Sequence, residues 1–279
     1  MNRLSKVAKN FLNCHLVLVK EFHRYFVKKC AMPEKRFGVL VIHGITANPA
    51  TVAPIAGPLS DLGLPLRIPV LRGHGMDSPE NLRGVTWHDW MNDAEAALLE
   101  ILSETDKVIV VGHSMGGLIA VVLAGKYRER IDSVVLVAAA VEAATPFAPG
   151  KLLGFIAPLA AKFLRKWKFK PLYSELKYAA GHPNYLWTPI ESVKNLLELT
   201  RIANGKLASV TMPALILQSR KDTRISKRCA QVIYDRISTP VTEKEIVWFG
   251  KTDHEMFLDC EREQVVSRIE GFIRDRLDQ

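Results

Sequence analysis

The sequence of 279 residues contains only four cysteines, and no two of them form a Cys-x-x-Cys pair. This spacing argues against a zinc site and a disulfide framework, and it favours a reducing compartment. The sequence also lacks any run of about 18 uncharged apolar residues, which excludes a membrane-spanning helix. Hydrophobic residues nevertheless make up 48% of the chain and charged residues 24%. This composition excludes collagen and a largely disordered chain, and it is typical of a globular protein.

Positive charge is concentrated near the amino terminus. Nine Lys or Arg residues and two acidic residues lie in residues 1–36, so this segment carries +7 of the formal net charge of +9. Because the rest of the chain is nearly neutral, we expect no nucleic-acid partner. Apolar residues at steps of three and four predict that residues 1–36 form a basic amphipathic helix. Such a helix either packs on the protein's own body or makes a peripheral contact with a membrane.

From residue 37 onward, short β-rich runs alternate with helix-like stretches. The run Val108–Val111 contains only Val and Ile, which indicates a strand buried on both faces. The alternation predicts an α/β fold with a mostly parallel central sheet flanked by helices. The predicted strands are Phe37–Ile42, Leu66–Leu71, Val108–Val111, Ser133–Val137, Ala214–Leu217 and Glu245–Phe249, and the predicted helices are Trp87–Ser103, Met115–Arg130, Ser226–Ser238 and Glu261–Leu277.

One interval of the predicted domain 37–279 interrupts this alternation. Residues 139–205 separate two strand candidates by far more than one crossover helix requires, and they contain six prolines. We predict that they form a lid inserted over the sheet. Its apolar side chains either contact the acyl chain of a ligand or seal the lid onto the sheet. These side chains are Leu152, Leu153, Phe155, Ile156, Leu159 and Phe163.

The most informative stretch places a serine between a strand and a helix. Val-Ile-Val-Val at 108–111 runs into Gly112-His113-Ser114-Met115-Gly116, and a helical pattern follows. A Gly-x-Ser-x-Gly sequence in this context predicts a nucleophile elbow, in which a tight turn exposes the serine hydroxyl at the edge of the sheet. The glycines suit the turn because larger side chains would crowd it. Ser114 is therefore the candidate nucleophile.

A serine hydroxyl needs a neighbouring base, and the base needs an acid that orients it. His254 follows the predicted strand Glu245–Phe249, where a loop at the carboxyl edge of the sheet begins, so it is the candidate base. Asp222 follows the strand Ala214–Leu217 and is the candidate acid. Two other aspartates are less suitable: Asp253 would point away in an extended loop, and Asp132 precedes its strand at the opposite edge.

An oxyanion hole in this arrangement uses two backbone N–H groups. The residue after the nucleophile donates one, which assigns Met115, and the loop after the first strand donates the other, which assigns Ile45. Each such donor typically stabilises the transition state by about 3 kcal/mol. His43, which precedes this loop, is expected to be structural because its ring can form hydrogen bonds that hold the loop.

These motifs together resemble the α/β-hydrolase superfamily, and within it the bacterial carboxylesterases and monoacylglycerol lipases. The resemblance covers residues 37–279 and rests on His-Gly-Ile-Thr at 43–46, Leu-Arg-Gly-His-Gly at 71–75, Thr-Trp-His-Asp-Trp at 86–90 and Gly-His-Ser-Met-Gly-Gly at 112–117. It implies hydrolysis of a small-molecule ester through an acyl-serine, with no metal and no organic cofactor. It also implies that Ser114 attacks while His254 transfers the proton.

The substrate class and the cellular location are expectations of the same kind. The apolar lid predicts medium-chain acyl esters or monoacylglycerols as substrates, in a cytoplasmic enzyme. A carbon–carbon bond hydrolase or a peptide hydrolase with the same triad is an alternative that the motifs do not separate. A third alternative is a non-catalytic binding protein, which the complete set of Ser114, Asp222 and His254 disfavours.

Overall fold

The computed structural model describes residues 36–142, 165–169, 173–179 and 184–279. The fold is that of the unit Phe37–Gln279. The amphipathic helix expected before residue 37 lies outside the described residues, apart from Arg36. The six apolar lid residues named above lie outside them as well.

Six parallel strands form the central sheet, which confirms the predicted fold class. The alternating side chains of its inner strands are buried on both faces, as the continuous Val and Ile runs predict. The strands are β1 (Phe37–Ile42), β2 (Leu66–Arg67), β3 (Lys107–His113), β4 (Ile131–Val137), β7 (Ala214–Ser219) and β8 (Lys244–Phe249). Between β4 and β7, β5 (Lys166–Lys168) and β6 (Trp187–Pro189) form a separate antiparallel pair.

The order of the strands determines where loops can form a site. Across the sheet the order is β2-β1-β3-β4-β7-β8. The strand β2 therefore lies on one side of β1 and β3 on the other, so the direction of strand succession reverses at β1. Ligands bind in open α/β sheets at such a reversal, beyond the carboxyl ends of the strands. In the register of the β1–β3 pair, Ile42 lies opposite Gly112. The loops that follow β1 and β3 therefore emerge side by side.

Five of the six described α-helices form two packed groups. The helices are α1 (Ala56–Asp61), α2 (Trp87–Leu102), α3 (Met115–Lys126), α4 (Ile190–Lys206), α5 (Cys229–Arg236) and α6 (Arg262–Leu277). Helices α2, α3 and α4 pack against one another, while α1 packs against α6. None of the helices in the described ranges combines the length and the apolar character that crossing a membrane requires.

Three predicted elements are shorter in the structure. The strand expected over 66–71 ends at Arg67, because Pro69 has no N–H for a ladder and the N–H of Leu71 donates to the His43 ring. Helix α3 ends at Lys126 instead of residue 130, since Tyr127 leaves the helical conformation. Helix α5 begins at Cys229 instead of residue 226, and the N–H of Ser226 donates to the carbonyl of Glu142.

The interval 139–205, expected to form a lid, includes α4. On this helix Leu199 and Ala203 are fully buried, and the helix packs against α3 of the main body. Burial of this kind is typical of a helix that covers a sheet. The lid therefore remains a prediction for the part of the interval that precedes residue 190.

Candidate active site

Ser114 occupies a strained turn between β3 and α3. Its backbone has φ 53° and ψ −112°, a combination that non-glycine residues rarely adopt and that clusters at functional sites. The turn depends on its two glycines. A Cβ on Gly112 would lie 2.3 Å from the carbonyl oxygen of Gly116, and a Cβ on Gly116 would lie 2.1 Å from that of Ile42. Only glycine fits at either position without displacing the backbone.

The imidazole of His254 contacts the hydroxyl of Ser114. Nε2 of His254 lies 3.0 Å from Oγ of Ser114, although the two residues are 140 positions apart. His254 lies in the loop after β8, and both side chains are buried. The sequence-based pairing of these residues at the carboxyl edge of the sheet thus corresponds to a direct contact in the structure.

The opposite side of the same imidazole contacts Asp222. Nδ1 of His254 donates to Oδ2 of Asp222 at 2.8 Å. Oδ1 of Asp222 accepts the backbone N–H groups of Arg224 and Ile225, both at 2.9 Å, and Nε2 of Gln218 donates to Oδ2 at 3.2 Å. These bonds fix the orientation of the carboxylate.

Neither of the other two aspartates contacts His254. Asp253 points away, as expected, and accepts the N–H of Thr223 at 2.9 Å. Asp132 is the second residue of β4, at the amino edge of the sheet, and accepts a hydrogen bond from Arg276 at 2.9 Å. Position on the sheet therefore separates Asp222 from both.

The Asp222–His254 pair has shifted pKa values in opposite directions. Burial raises the pKa of Asp222, but the His254 imidazole and the hydrogen bonds to the carboxylate outweigh burial and leave the pKa below its usual value. Burial lowers the pKa of His254, but the nearby Asp222 carboxylate outweighs it and raises the pKa above 6.5. The charged Asp222 carboxylate therefore stabilises the protonated imidazolium form of His254.

The two candidate oxyanion donors belong to loops that meet at Ser114. Met115 is the first residue of α3, so its N–H has no acceptor within the helix and lies at the positive end of the helix dipole. Ile45 follows Gly44 in the loop after β1. A Cβ on Gly44 would lie 3.3 Å from Cβ of Ser114, so this loop passes directly beside the serine.

His113 is a residue of the site whose contact the sequence analysis did not predict. Its Nε2 donates to the backbone carbonyl of His254 at 3.0 Å, and its ring lies edge-on to Phe257. Burial lowers the pKa of His113, so the ring is neutral at physiological pH. The elbow motif placed His113 beside Ser114, but no local pattern indicates a partner 141 positions away.

The described parts of 165–189 contact the loops around His254. The sequence analysis did not predict these contacts. The N–H of Ser174 donates to Asp259 at 2.8 Å, and Nδ2 of Asn184 donates to Glu255 at 2.8 Å. The guanidinium of Arg224 lies 4.2 Å from the ring centroid of Phe169. These contacts connect the segment that follows β4 to the residues flanking Asp222 and His254. Within the described ranges, no group of three His, Cys, Asp or Glu side chains is arranged to hold a metal ion.

Hydrogen bonds join Ser114, His254 and Asp222 at the carboxyl edge of the parallel sheet. The chain that carries these residues matches a known family. The family model described as "Serine aminopeptidase, S33" matches residues 33–261, which is most of the chain. The chain belongs to this family of α/β hydrolases. Its matched range contains Ser114, Asp222 and His254.

Two relatives of this hydrolase have names that describe ester hydrolysis. It is 30% identical to the thermostable monoacylglycerol lipase of Bacillus sp. over 235 residues, which cover 83% of this chain and 88% of the relative. It is 25% identical to a carboxylesterase of Bacillus subtilis over 241 residues, which cover 86% and 93%. The chain is accordingly an ester-hydrolysing enzyme of the α/β hydrolases.

Solved structures show the same architecture. A structure of metagenome-derived lipolytic enzymes, LipS and LipT, superposes with a TM-score of 0.75 at 29% identity, over 87% of this hydrolase and 95% of that chain. A soluble variant of the monoglyceride lipase of Saccharomyces cerevisiae, in complex with a substrate analogue, superposes with a TM-score of 0.70 at 21% identity, over 88% of each chain. The second likeness concerns the fold alone.

Proposed function

We propose that this α/β hydrolase is a serine carboxylic-ester hydrolase that acts through an acyl-enzyme. Ser114 is the nucleophile, His254 the general base and acid, and Asp222 the residue that orients His254. The observation that carries the proposal is the position of the His254 imidazole, with Nε2 3.0 Å from Oγ of Ser114 and Nδ1 2.8 Å from Oδ2 of Asp222. This geometry supports proton transfer from the hydroxyl.

Acylation follows from these contacts. Oγ of Ser114 attacks the carbonyl carbon of the ester while its proton passes to Nε2 of His254. Asp222 accepts the Nδ1–H and stabilises the imidazolium that forms. The bond between the carbonyl carbon and the alcohol oxygen then breaks, and His254 returns the proton to the departing alcohol. The acyl group remains on Ser114.

The negative charge on the carbonyl oxygen requires donors during this step. The N–H groups of Ile45 and Met115 supply them, and the dipole of α3 adds positive potential at the same point. Both donors are backbone groups, so the side chains at positions 45 and 115 can vary without removing them. Deacylation repeats the sequence with water: His254 takes a proton from the water, the oxygen attacks the acyl carbon, and Ser114 regains its proton as the acid leaves.

The proposed substrates are medium-chain acyl esters or monoacylglycerols. The names of the two Bacillus relatives support monoacylglycerols and carboxylic esters as substrates, and the apolar residues of the predicted lid support a medium acyl length. The test is the hydrolysis of p-nitrophenyl esters from acetate to palmitate, and of monoacylglycerols of the same acyl lengths, by the wild type and by Ser114→Ala. We expect the highest kcat/KM at medium chain length and loss of turnover in S114A. No turnover at any chain length by the wild type would refute the proposal.

Peptide hydrolysis is the second candidate, because the matching family model is described as a serine aminopeptidase. The same triad can attack an amide, with an amine as the leaving group. The two candidates are separated by aminoacyl p-nitroanilides, assayed beside the esters with the same preparation. Turnover of the anilides above that of the esters favours the peptidase.

For residues 1–36 we propose a peripheral contact with a membrane surface, in an otherwise cytoplasmic enzyme. The charge of +7 in this segment and its helical apolar periodicity support the proposal. Flotation with vesicles that contain anionic lipid, with and without residues 1–36, tests it. We expect flotation of the full chain only. Equal recovery of both proteins in the lipid fraction contradicts a role for this segment.

A further inference from the structure

His43 makes two hydrogen bonds that fix its tautomer. Its Nδ1 lies 2.8 Å from the carbonyl oxygen of Gly44, and its Nε2 lies 3.2 Å from the backbone nitrogen of Leu71. A carbonyl oxygen only accepts and an N–H only donates. Nδ1 therefore carries the proton and donates to Gly44, while Nε2 accepts from Leu71.

The carbonyl of Gly44, which accepts the Nδ1–H of His43, belongs to the same peptide group as the N–H of Ile45. The carbonyl of Gly44 and the N–H of Ile45 lie in one planar trans unit and point in opposite directions. A bond that holds the carbonyl oxygen on one side therefore fixes the direction of the N–H on the other. Since Gly44 passes beside Ser114, this direction determines whether the Ile45 N–H can reach the oxyanion. Donation to the carbonyl also polarises the peptide group and makes its N–H a better donor.

We propose that His43 is a positioning residue for the oxyanion hole, which orients and polarises the Ile45 N–H through the Gly44 carbonyl. The inference rests on the proposed function, because it assigns the Ile45 N–H to the oxyanion of ester hydrolysis. The two hydrogen bonds of the His43 ring go to Gly44 and Leu71 and to none of the triad side chains. It acts through one peptide group.

The surroundings of His43 maintain this arrangement. The ring is fully buried, and burial lowers its pKa to about 4, so the ring stays neutral at physiological pH. His74 lies edge-on to His43, with ring centroids 5.1 Å apart, and its Nδ1 bonds the carbonyl of Leu71. Nε1 of Trp90 donates to the carbonyl of Arg72 at 3.2 Å.

These contacts involve two sequence motifs that contribute no residue to the triad. Leu-Arg-Gly-His-Gly at 71–75 supplies the N–H that Nε2 of His43 accepts. Trp90, from the motif at 86–90, donates to the carbonyl of Arg72 in the same turn. We infer that both motifs support the loop of the oxyanion hole. They fix the backbone at Leu71, which in turn fixes the tautomer of His43.

The test uses two amides that each replace one ring nitrogen. In His43→Asn the amide nitrogen takes the place of Nδ1 and can donate to Gly44, while in His43→Gln the amide lies near the position of Nε2 and the donor to Gly44 is lost. With p-nitrophenyl butyrate we expect kcat of H43Q to fall about 10- to 100-fold, below the full loss of one oxyanion donor. We expect H43N to retain kcat within about three-fold of the wild type, and KM to stay nearly constant in both.

A second readout separates positioning from general support of the fold. An aryl trifluoromethyl ketone forms an oxyanion on the nucleophile, whereas a non-hydrolysable ether analogue of the ester does not. We expect H43Q to lose affinity for the ketone by the same factor as kcat, with unchanged affinity for the ether. Equal kcat in H43N and H43Q, or equal losses for ketone and ether, would overturn the inference. If H43Q does not fold, the comparison of H43N with His43→Ala decides in the same way.

Failure of this inference is distinguishable from failure of the proposed function. An inactive wild type, or an S114A variant that retains turnover, refutes the proposed function. An active wild type with a dead S114A variant leaves that function intact. In that case only the behaviour of the His43 variants bears on the positioning role.

Discussion

The carboxylate of Asp222 lies 2.8 Å from Nδ1 of His254, and it reaches that nitrogen from a loop 32 positions earlier in the chain. Asp253, the immediate neighbour of His254, instead bonds the backbone of Thr223. Both loops follow neighbouring parallel strands, β7 and β8, so the sheet brings their carboxyl ends together. Position on the sheet therefore decides which aspartate contacts His254, and nearness to His254 in the sequence does not.

Replacement of Asp222 by asparagine should abolish most activity without unfolding the protein. The amide can donate to Nδ1 of His254, which favours the wrong tautomer, and we expect kcat to fall about 10³- to 10⁴-fold. The measurement is steady-state hydrolysis of p-nitrophenyl butyrate, with the thermal midpoint as a check on folding. Asp132→Asn is the matched control, because Asp132 lies at the other edge of the sheet and pairs with Arg276. Equal activity of D222N and D132N would contradict the assignment.

The pH dependence of kcat/KM follows from the raised pKa of His254. The base acts only when it is neutral, so activity rises with pH through this pKa, and we expect the acid limb to have its midpoint above pH 6.5. Because burial alone lowers the pKa and Asp222 raises it, the residual activity of D222N should have its midpoint at lower pH. A pH profile of both proteins between about pH 5 and 9 covers this region. An unchanged midpoint in D222N would show that Asp222 does not set this pKa.

Alanine at either glycine of the elbow should destabilise the whole domain. The added Cβ of Gly116→Ala would meet the backbone of Ile42 at 2.1 Å, and we expect a loss of about 3 kcal/mol in the free energy of unfolding. Gly271→Ala is the matched control, since Gly271 is inside α6 and nothing lies within 4 Å of its added Cβ. That variant should gain about 1 kcal/mol from helix propensity. Urea unfolding of both measures the difference, and a stable G116A would refute the tight turn.

Loss of the His113 donor should affect turnover more than binding. His113→Leu removes the ring donor to the His254 carbonyl, which then keeps only the N–H of Met256 of its two donors, and we expect the loop to lose its fixed position relative to Ser114. The predicted result is a fall in kcat of about ten-fold with little change in KM. The exposed His88 provides the control variant His88→Gln, which should keep wild-type kinetics. A kcat for H113L equal to that of H88Q would exclude a positioning role.

Local patterns in the sequence were sufficient for the fold class and for choosing which three side chains meet. Buried Val and Ile runs identify parallel strands, and residues at their carboxyl ends converge whatever the intervening chain does. Ser114, Asp222 and His254 each follow such a strand, and the structure places them in contact. Helix starts with a clear signal were also predictable: Trp87 follows Thr86, whose N–H donates to Asp89.

Contacts between distant polar groups were not predictable in the same way. The bond from Leu71 to His43 shortens a predicted strand, and the bond from His113 to the His254 carbonyl joins positions 141 apart. Such bonds depend on the three-dimensional course of two loops, for which periodicity carries no information. Helix α3 ends at Lys126 with no glycine or proline directly after it, and Gly125 lies inside its last turn, so the position of its end gave no clear signal either.

The central claim is that Ser114 carries the acyl group during ester hydrolysis, and acid-quenched intact-protein mass spectrometry tests it most directly. The protein is mixed with p-nitrophenyl octanoate, quenched within the first turnovers and digested to locate the modification. The account predicts one octanoyl group, placed on Ser114, which is absent in S114A and decays when substrate is exhausted. An acyl group on another residue, or steady turnover in S114A, would contradict it.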